Sequence, residues 1–349
     1  MINKTKVEAL IIGNFGYKGN QLDGQTVKTR NVCLLLEEMG YQKIKTIDTS
    51  YKSNVFKLFQ IIFKKHLIIF VGAENAFKYL LPFISKAAAF NKSEIHYFHV
   101  GSVLIDIIEK NPKRLKLLRD LKMNYPETKG MAEKLNGFGL HNQEVIHNFR
   151  VLKKLDTEVE KQSKRKIRLV YLGRILKEKG IDLILEAYEM LKEEFEKGKI
   201  ELDFYGQIVD ESLDFKNQIK GKIGIRYIGH LEPEYIHKTL AVYNALLFPT
   251  YFHEEGFPGT ILDAYLAGIP VIASDWMYNA ELVESNVDGL LFEPKNVKAL
   301  ADSLYQLLCN APFLAKLKQG AELKGKSLGY ESAQEAFMNH ISEEFKSNF

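Results

Sequence analysis

The chain has 349 residues, a length typical of two domains and sufficient for a large core without disulfides or structural metals. Hydrophobic residues make up 46% and charged residues 26%, which excludes disordered and low-complexity proteins. The net charge is +4, yet residues 1–150 hold 23 Lys and Arg against 13 Asp and Glu, whereas the remainder holds 25 against 31. The first half is therefore basic, which predicts an anionic partner for it.

Cysteine usage and hydropathy predict the compartment. Cys33 and Cys309 lie far apart and belong to no CxxC pair, so we expect reduced cysteines in a cytoplasmic protein. The N-terminus lacks the features of a secretory signal, and the longest apolar stretch, residues 55–71, is interrupted by three lysines and a histidine. We expect no transmembrane segment, and only peripheral contact with a membrane at its inner face. No nucleic-acid-binding signature accompanies the basic charge, so nucleic acid is not an expected partner.

Strands and helices alternate from the beginning of the chain. An apolar run over residues 7–12 predicts a strand, a glycine loop from Gly13 to Gly19 follows, and a helical pattern runs from Gly24 to Gly40. Apolar, β-rich runs predict further strands at residues 43–47, 66–72 and 94–100. This alternation predicts a parallel sheet covered by helices on both faces.

Residues 109–122 carry six Lys and Arg among leucines. We interpret the stretch as an amphipathic helix, with two alternatives for its basic face. It is either simply solvated, or it binds phosphorylated lipid headgroups.

A polar stretch at residues 153–166 predicts a domain boundary. A second βα series then begins, with a helix over about residues 180–195 and strands at 167–172, 200–205, 225–228, 245–249 and 270–274. We predict an N-terminal domain over residues 1–155 and a C-terminal domain over 156–330, both Rossmann-like. Residues 331–349 predict an amphipathic helix that packs back on the first domain.

Ligands of parallel sheets bind beyond the carboxyl ends of the strands, so the loops there are candidate sites. The loop after residues 167–172 contains Gly173, Arg174 and Lys179. A guanidinium and an ammonium converging on one crevice suit a diphosphate, and the alternative is a solvated basic turn.

The loop after residues 245–249 is the most informative. Glu255 precedes the segment Gly256-Phe257-Pro258-Gly259-Thr260, and Asp263 lies in the helix that begins there. We expect both acids to face one crevice, and the amides of Gly259 and Thr260 to favour phosphate at the helix start. Simple helix capping by the acids is the alternative.

Two loops of the first half are less specific. The loop around Gly16 departs from GxGxxG, and no acid ends a following strand unless Asp48 serves, so it is either a phosphate loop or an ordinary turn. His99 ends the strand at residues 94–100, where it is either a functional residue or a packed one.

Arg174 with Lys179, and Glu255-Gly256-Phe257-Pro258 with an acid eight residues after Glu255, resemble the retaining GT-B glycosyltransferases of glycosyltransferase family 4. The resemblance spans nearly the whole chain and is specific over residues 167–294. It implies an α/β GT-B fold, with two Rossmann-like domains facing across a cleft. It also implies transfer of a hexosyl group from a nucleotide diphosphosugar with retention of the anomeric configuration.

The resemblance assigns roles to residues. Glu255 would contact donor-sugar hydroxyls, while Arg174 and Lys179 would neutralise the leaving diphosphate. Asp263 stands where the family usually has a second glutamate that grips the ribose, and it is shorter by roughly 1.5 Å. If the ribose hydrogen bonds fail, donor binding weakens by about 1–3 kcal/mol. Further donor-side residues that the resemblance implies are His99, Gly16, Gly173, and the backbone of Gly256 and Phe257.

The expected partners follow from the same resemblance. We expect no cofactor or metal, since the chain has no Asp-X-Asp motif. The donor is expected to be a UDP-sugar rather than a GDP-sugar, and the acceptor a saccharide, lipid-linked at the cytoplasmic membrane face, in surface-polysaccharide synthesis. Three alternatives stay open: a catalytically silent GT-B partner subunit, a nucleotide-sugar 2-epimerase on the same fold, and a dehydrogenase.

Overall fold

The computed structural model describes residues 8–18, 23–151 and 166–346. The chain forms two compact units, Met1–Val151 with Gly329–Phe349, and Leu152–Leu328. The predicted boundary stretch, apart from residue 166, lies outside the described residues, and so does Gly19 of the predicted glycine loop. No helix in the described ranges combines the length and apolar character needed to cross a bilayer.

The strands follow the apolar runs of the sequence. Those predicted at residues 66–72, 167–172 and 200–205 are confirmed with the same bounds, and the other predicted strands are confirmed with boundaries shifted by one residue. Two strands of only three and four residues, β5 and β11, were not predicted because they are too short for a pattern. The described strands are β1 (Glu8–Gly13), β2 (Ile44–Asp48), β3 (His66–Gly72), β4 (Glu94–His99), β5 (Met123–Tyr125), β6 (Ile167–Leu172), β7 (Ile200–Tyr205), β8 (Ile225–Gly229), β9 (Ala245–Phe248), β10 (Val271–Ser274) and β11 (Gly289–Phe292).

The helices connect these strands in chain order. The described α-helices are α1 (Gly24–Glu38), α2 (Gln60–Phe63), α3 (Leu81–Asn91), α4 (Val103–Lys110), α5 (Leu115–Arg119), α6 (Lys129–Gly137), α7 (Ile181–Met190), α8 (Lys192–Glu196), α9 (Phe215–Ile219), α10 (Ile236–Leu240), α11 (Gly259–Leu266), α12 (Asn279–Leu282), α13 (Val297–Cys309), α14 (Ala311–Ser327), α15 (Glu331–His340) and α16 (Glu343–Lys346). A 3₁₀ segment, Lys52–Phe59, precedes α2, and a π-helical turn, Ala76–Leu80, precedes α3.

Two predicted helices are interrupted. Residues 109–122 do not form one amphipathic helix, because Pro112 cannot supply a backbone donor and drives Asn111 out of the helical region, so α4 ends at Lys110. The helix expected over residues 180–195 breaks at Leu191 into α7 and α8.

The first unit contains a parallel sheet in the order β2-β1-β3-β4-β5. Every residue of β1 and β3 is buried, as expected when helices cover both faces of a sheet. On one face, Phe337 of α15 packs against His96 and Tyr125, with ring centroids 5.2 and 6.0 Å away. Helices α15 and α16 therefore contribute to this unit's core.

The second unit contains a parallel sheet in the order β11-β10-β9-β6-β7-β8. From β6 the chain proceeds outward through β7 and β8, and then returns to β9 on the other side of β6. The strand order thus reverses between β6 and β9. Loops at the carboxyl ends of strands open a crevice at such a switch point.

Candidate functional site

The loop after β6 lies against its neighbours so closely that two glycines are required. A Cβ atom on Gly206 would lie 1.8 Å from the carbonyl oxygen of Gly173, and one on Gly180 would lie 2.2 Å from that of Pro249. Gly180 also has a φ of +79°, in the left-handed region. The loop after β6 is therefore pressed against the end of β9.

This close packing brings two of the predicted site residues into contact. Lys179 ends a short 3₁₀ turn after β6, and its Nζ lies 2.5 Å from Oε2 of Glu255 in the loop after β9. The two side chains are 12% and 10% exposed. The residues are 76 positions apart in sequence, and adjacency of β6 and β9 joins them.

Thr250 and Ser274 orient Glu255, and the sequence reasoning missed both. The Thr250 hydroxyl donates to Oε2 of Glu255 at 3.0 Å and accepts from the Phe252 amide at 3.2 Å. The Ser274 hydroxyl donates to the Thr250 carbonyl at 2.5 Å. A signal was available, since both are small hydroxyl residues at the ends of buried strands.

Arg174 joins this group through an aromatic ring. Its guanidinium carbon lies 5.3 Å from the ring centroid of Phe252, and Nζ of Lys179 lies 4.9 Å from the same centroid. The Trp276 indole donates to the Phe252 carbonyl at 2.9 Å, which fixes that segment. Within the described part of the chain, Arg174 is exposed and forms no ion pair. Its positive charge is thus available to a ligand.

Asp263 has a different partner from Glu255. It is 4% exposed on α11, and its Oδ1 lies 3.1 Å from Nε2 of His237 on α10. The structure therefore gives the two acids separate partners, and their facing one crevice stays a prediction. The imidazole lies where it can hydrogen-bond the shorter acid, and no sequence pattern had indicated His237.

The segment between the two acids is largely buried. Gly256 is buried, and the Phe257 ring packs in the core of the second unit with Ile261 and Leu262. Gly259 and Thr260 begin α11 and are half-buried.

Gly16 belongs to the first unit, in the loop after β1. It has a φ of +71°, and its amide donates to Oδ1 of Asn14 at 2.9 Å. The Asp48 carboxylate accepts from the amides of Phe15 at 3.1 Å and Ser50 at 2.9 Å. Asp48 thus holds the glycine loop in place.

His99 also belongs to the first unit and is completely buried. Burial, together with the positive charge of Lys28, lowers the pKa of His99 to about 3, so its ring is neutral near pH 7. Its Nε2 lies 3.5 Å from Oδ1 of Asn124, which indicates a proton on Nε2. Its Nδ1 is buried without a hydrogen-bond partner among the described residues.

A second lysine–glutamate pair fixes the loop that carries His99. Lys28 Nζ donates to Glu127 Oε1 at 2.8 Å and to the His99 carbonyl at 2.7 Å, while the Gly101 amide donates to Glu127 Oε2 at 3.2 Å. Both side chains are 3% exposed, and burial lowers the pKa of Lys28, although Glu127 opposes that shift. Sequence reasoning missed this pair, although Lys28 lies among buried positions of α1.

Taken together, the described site in the second unit offers two cations, one oriented carboxylate and an aromatic ring beside the start of a helix. Such a set can bind a polyanion while a carboxylate faces a neutral polar group. Among the described residues, no group of three or more His, Cys, Asp or Glu is arranged to hold a metal ion.

Comparisons with known proteins agree on the second unit. Residues 153–324 match the profile of the family Glycosyl transferases group 1. The chain is 26% identical over 152 residues to the amylovoran biosynthesis glycosyltransferase AmsK of Erwinia amylovora, covering 40% of this chain and 36% of that protein. It is 24% identical over 177 residues to the capsular polysaccharide biosynthesis glycosyltransferase CapM of Staphylococcus aureus, covering 49% and 45%. The matches thus span less than half the length of these relatives.

The fold of the whole chain matches solved structures. Anabaena HepE, solved in complex with UDP and glucose, aligns with a TM-score of 0.70 at 14% identity, over 95% of this chain and 98% of that one. The predicted α/β class, with two Rossmann-like domains of GT-B type, is confirmed.

Proposed function

We propose that the protein, whose residues 153–324 match the family Glycosyl transferases group 1, is a glycosyltransferase of surface-polysaccharide synthesis. It transfers a hexosyl group from a nucleotide diphosphosugar to a saccharide hydroxyl, with retention of the anomeric configuration, as a member of glycosyltransferase family 4. The relatives that make amylovoran and capsular polysaccharide support this pathway class.

One observation carries the proposal. At the switch point of the second sheet, Arg174 and Lys179 converge on the Phe252 ring, and Lys179 contacts Glu255. Positive charge at a strand-end crevice suits a diphosphate, and an oriented carboxylate beside that charge can accept hydrogen bonds from sugar hydroxyls. Both are present within one loop pair.

The two cations stabilise the leaving group. As the bond between the anomeric carbon and the diphosphate oxygen breaks, negative charge grows on the diphosphate and positive charge on the sugar ring. Arg174 and Lys179 stabilise the negative charge on the diphosphate, while the Glu255 carboxylate binds sugar hydroxyls. Before donor binding, Glu255 holds Lys179 in position. The protein's own cations thus supply the stabilisation, and we propose a metal-independent reaction.

The attack occurs on the face that the diphosphate leaves. The acceptor oxygen bonds to the anomeric carbon, and the acceptor proton passes to the departing phosphate oxygen, which balances the step without a protein nucleophile. His99 is neutral, and its Nδ1 has no hydrogen-bond partner within the described ranges, so its proposed contact with the donor sugar is a hydrogen bond rather than a charge.

For the donor we propose a UDP-sugar, because the structural neighbour HepE was solved with UDP and glucose. Asp263 is proposed to bind the ribose, which requires it to exchange its contact with His237 for ribose hydroxyls. For the acceptor we propose a lipid-linked saccharide at the cytoplasmic face of the membrane, since the first half of the chain is basic.

Trp276 provides the test, because it is the single tryptophan of the chain and bonds the Phe252 segment. We expect UDP-sugars to change its fluorescence in a saturable manner, and GDP-sugars to act only at much higher concentration. Excess chelator should leave the response and the transfer unchanged. Arg174→Met should weaken UDP binding, whereas Lys298→Met, which removes an exposed lysine of α13, should not. If no nucleotide sugar binds, or if donor hydrolysis yields the inverted sugar, the proposal is wrong.

A further inference from the structure

The first unit exposes five aromatic rings on one helical region. The largely exposed side chains, with their exposed fractions, are Phe56 (76%), Phe59 (49%), Phe63 (84%), Tyr79 (72%) and Phe90 (84%). Large aromatic side chains are normally buried, and a contiguous exposed group of them marks an interaction surface. We call these five residues, with the lysines between residues 51 and 93, the aromatic–lysine face.

The rings are close in space as well as in sequence. Phe59 meets Phe83 of α3 edge-to-face at 5.5 Å, so α2 and α3 lie side by side. The Asn91 side chain at the end of α3 donates to the Lys64 carbonyl at 2.7 Å, just beyond the end of α2. Phe63 precedes Lys64 and Phe90 precedes Asn91, so both rings project from the same end of the helix pair.

The same segments bury their other side in the core. Leu58 and Ile61 lie beneath the exposed rings of the first segment, and Leu81 and Ile84 anchor α3. Phe56, Phe59 and Phe63 follow the i, i+3, i+7 spacing of one helical face. The segment is thus amphipathic, with its outer apolar face left without a protein partner in the described chain.

The charge of this face is strongly one-sided. Residues 51–93 contain seven lysines and a single acid, Glu74, which pairs with Lys78. Two further lysines, Lys64 and Lys65, pair with acids outside this segment. The lysines at positions 52, 57, 86 and 92 are exposed, and among the described residues none of them forms an ion pair. Residues 109–122 also expose lysines that form no ion pair among the described residues, at positions 110, 113 and 116, but this stretch contains no aromatic residue.

We propose that the aromatic–lysine face binds the surface of an anionic lipid bilayer. Phenyl rings insert at the boundary between headgroups and acyl chains, while lysines reach the phosphates along flexible stems. A second copy of the chain is a poor occupant, because a two-fold contact would oppose lysines with lysines. Single-stranded nucleic acid stacks in grooves, whereas these rings project from the outer side of a helix pair.

The inference extends the proposed function, in which the acceptor is lipid-linked, by locating the membrane contact. It rests on that function only for the biological role of the contact, since lipid binding needs no catalysis. It moves the membrane contact from residues 109–122, where the sequence suggested it, to residues 52–92. Both regions belong to the first unit, and matched variants separate them.

The experiment is co-sedimentation of the full chain with vesicles of phosphatidylcholine alone or with about one-third phosphatidylglycerol. We expect binding to the anionic vesicles, weakened by salt. Phe63→Ser with Phe90→Ser should reduce the affinity on the order of tenfold or more, since both rings leave the bilayer. The matched control, Tyr235→Ser with Leu323→Ser, removes two exposed apolar side chains of the second unit and should leave binding unchanged.

A charge pair tests the location independently of the rings. Lys57→Glu with Lys92→Glu should also reduce binding on the order of tenfold or more. Lys113→Glu with Lys116→Glu, within residues 109–122, should change it less than threefold, about the effect of general charge alone. Circular dichroism checks that each variant is folded.

Three results would overturn the proposal. The first is an equal loss of vesicle binding in the two charge-reversal double variants, and the second is vesicle binding that does not depend on phosphatidylglycerol. The third is that Phe63→Ser with Phe90→Ser abolishes a solution dimer or poly(U) binding but leaves vesicle binding unchanged. The Trp276 response to UDP-sugars is measured on the same variants and should persist in Phe63→Ser with Phe90→Ser. Failure of that response in the wild type would instead refute the proposed function and leave the vesicle result standing.

Discussion

Each unit has a lysine–glutamate pair at the carboxyl edge of its parallel sheet, and the two pairs differ in how fully they are bonded. Lys28 and Glu127 are 3% exposed, and Lys28 also donates to the His99 carbonyl while Glu127 accepts from the Gly101 amide. Lys179 and Glu255 are 12% and 10% exposed, and Lys179 faces a carboxylate and aromatic rings. The first pair holds a loop, whereas the second can still bind a ligand.

The comparison teaches that residue type does not separate a scaffold pair from a binding pair. Burial strengthens every hydrogen bond that Lys28 makes and raises the cost of losing one. The buried ion pair is therefore stable only because all its partners are present. Lys179 keeps an accessible side, and exposed Arg174 lies against the same ring. Open hydrogen-bonding capacity, beside a charge that forms no ion pair within the described part of the chain, distinguishes the candidate binding pair.

The largest expected effect comes from breaking the buried pair. Lys28→Met leaves Glu127 charged and buried, and we expect it to lower the free energy of unfolding of the first unit by about 3–5 kcal/mol. Urea unfolding followed by circular dichroism measures this, while Trp276 reports the second unit separately. The double variant Lys28→Met with Glu127→Leu should recover much of the loss. A loss below about 1 kcal/mol for the single variant would show that the pair is not structural.

Breaking the second pair should affect activity more than stability. Lys179→Met removes one of the two cations proposed to stabilise the leaving diphosphate, and we expect the transfer rate to fall about 10²–10³-fold. Glu255 keeps the Thr250 hydroxyl and some solvent, so the unfolding midpoint should move less than in Lys28→Met. Single-turnover transfer assays measure the first quantity and urea unfolding the second. A rate within a few-fold of that of Lys298→Met would remove Lys179 from the mechanism.

A smaller effect separates the units by acid sensitivity. His99 has a pKa of about 3 in the folded protein against an ordinary value of 6.5 in the unfolded chain, and burial also lowers the pKa of His96. The unfolded chain binds more protons between these values, so the stabilisation is complete above pH 6.5 and is lost as the pH falls. At pH 5 the loss from His99 is about 2 kcal/mol.

Urea unfolding at pH 7.5 and pH 5 measures this difference. The circular dichroism midpoint should fall with pH more than the Trp276 midpoint, because both histidines lie in the first unit. His99→Gln should flatten the dependence. An equal fall of the two midpoints in the wild type would show that the acid sensitivity does not arise in the first unit.

The sequence predicted most of the fold because most of its strands are largely apolar runs between turn residues. Strand β3 has the predicted bounds, since a strand buried on both faces leaves a continuous hydrophobic run. Strands β6 and β7 also have the predicted bounds, although charged residues interrupt their apolar runs. Strand β5 has only three residues, too few for a recognisable pattern. The helix expected over residues 109–122 is interrupted at Pro112, because the amphipathic pattern does not reveal that the proline forces Asn111 out of the helical conformation.

The candidate site divides in the same manner. Gly173, Arg174, Lys179 and Glu255 were found from the sequence alone, because charged residues and glycines after buried strands are local signals. Their contact required the adjacency of β6 and β9, which no local pattern contains. The partners that fix the chemistry, Thr250 for Glu255 and His237 for Asp263, also depend on long-range packing.

By itself, the sequence determined that this chain is an α/β protein and predicted a strand-end cluster suited to a diphosphate, because hydrophobic period and loop composition are properties of neighbouring residues. Only the tertiary structure decided which charges are paired, which histidine is neutral and which aromatic rings face outward. Burial and partnership join residues far apart in the chain, and they set the energies on which binding depends.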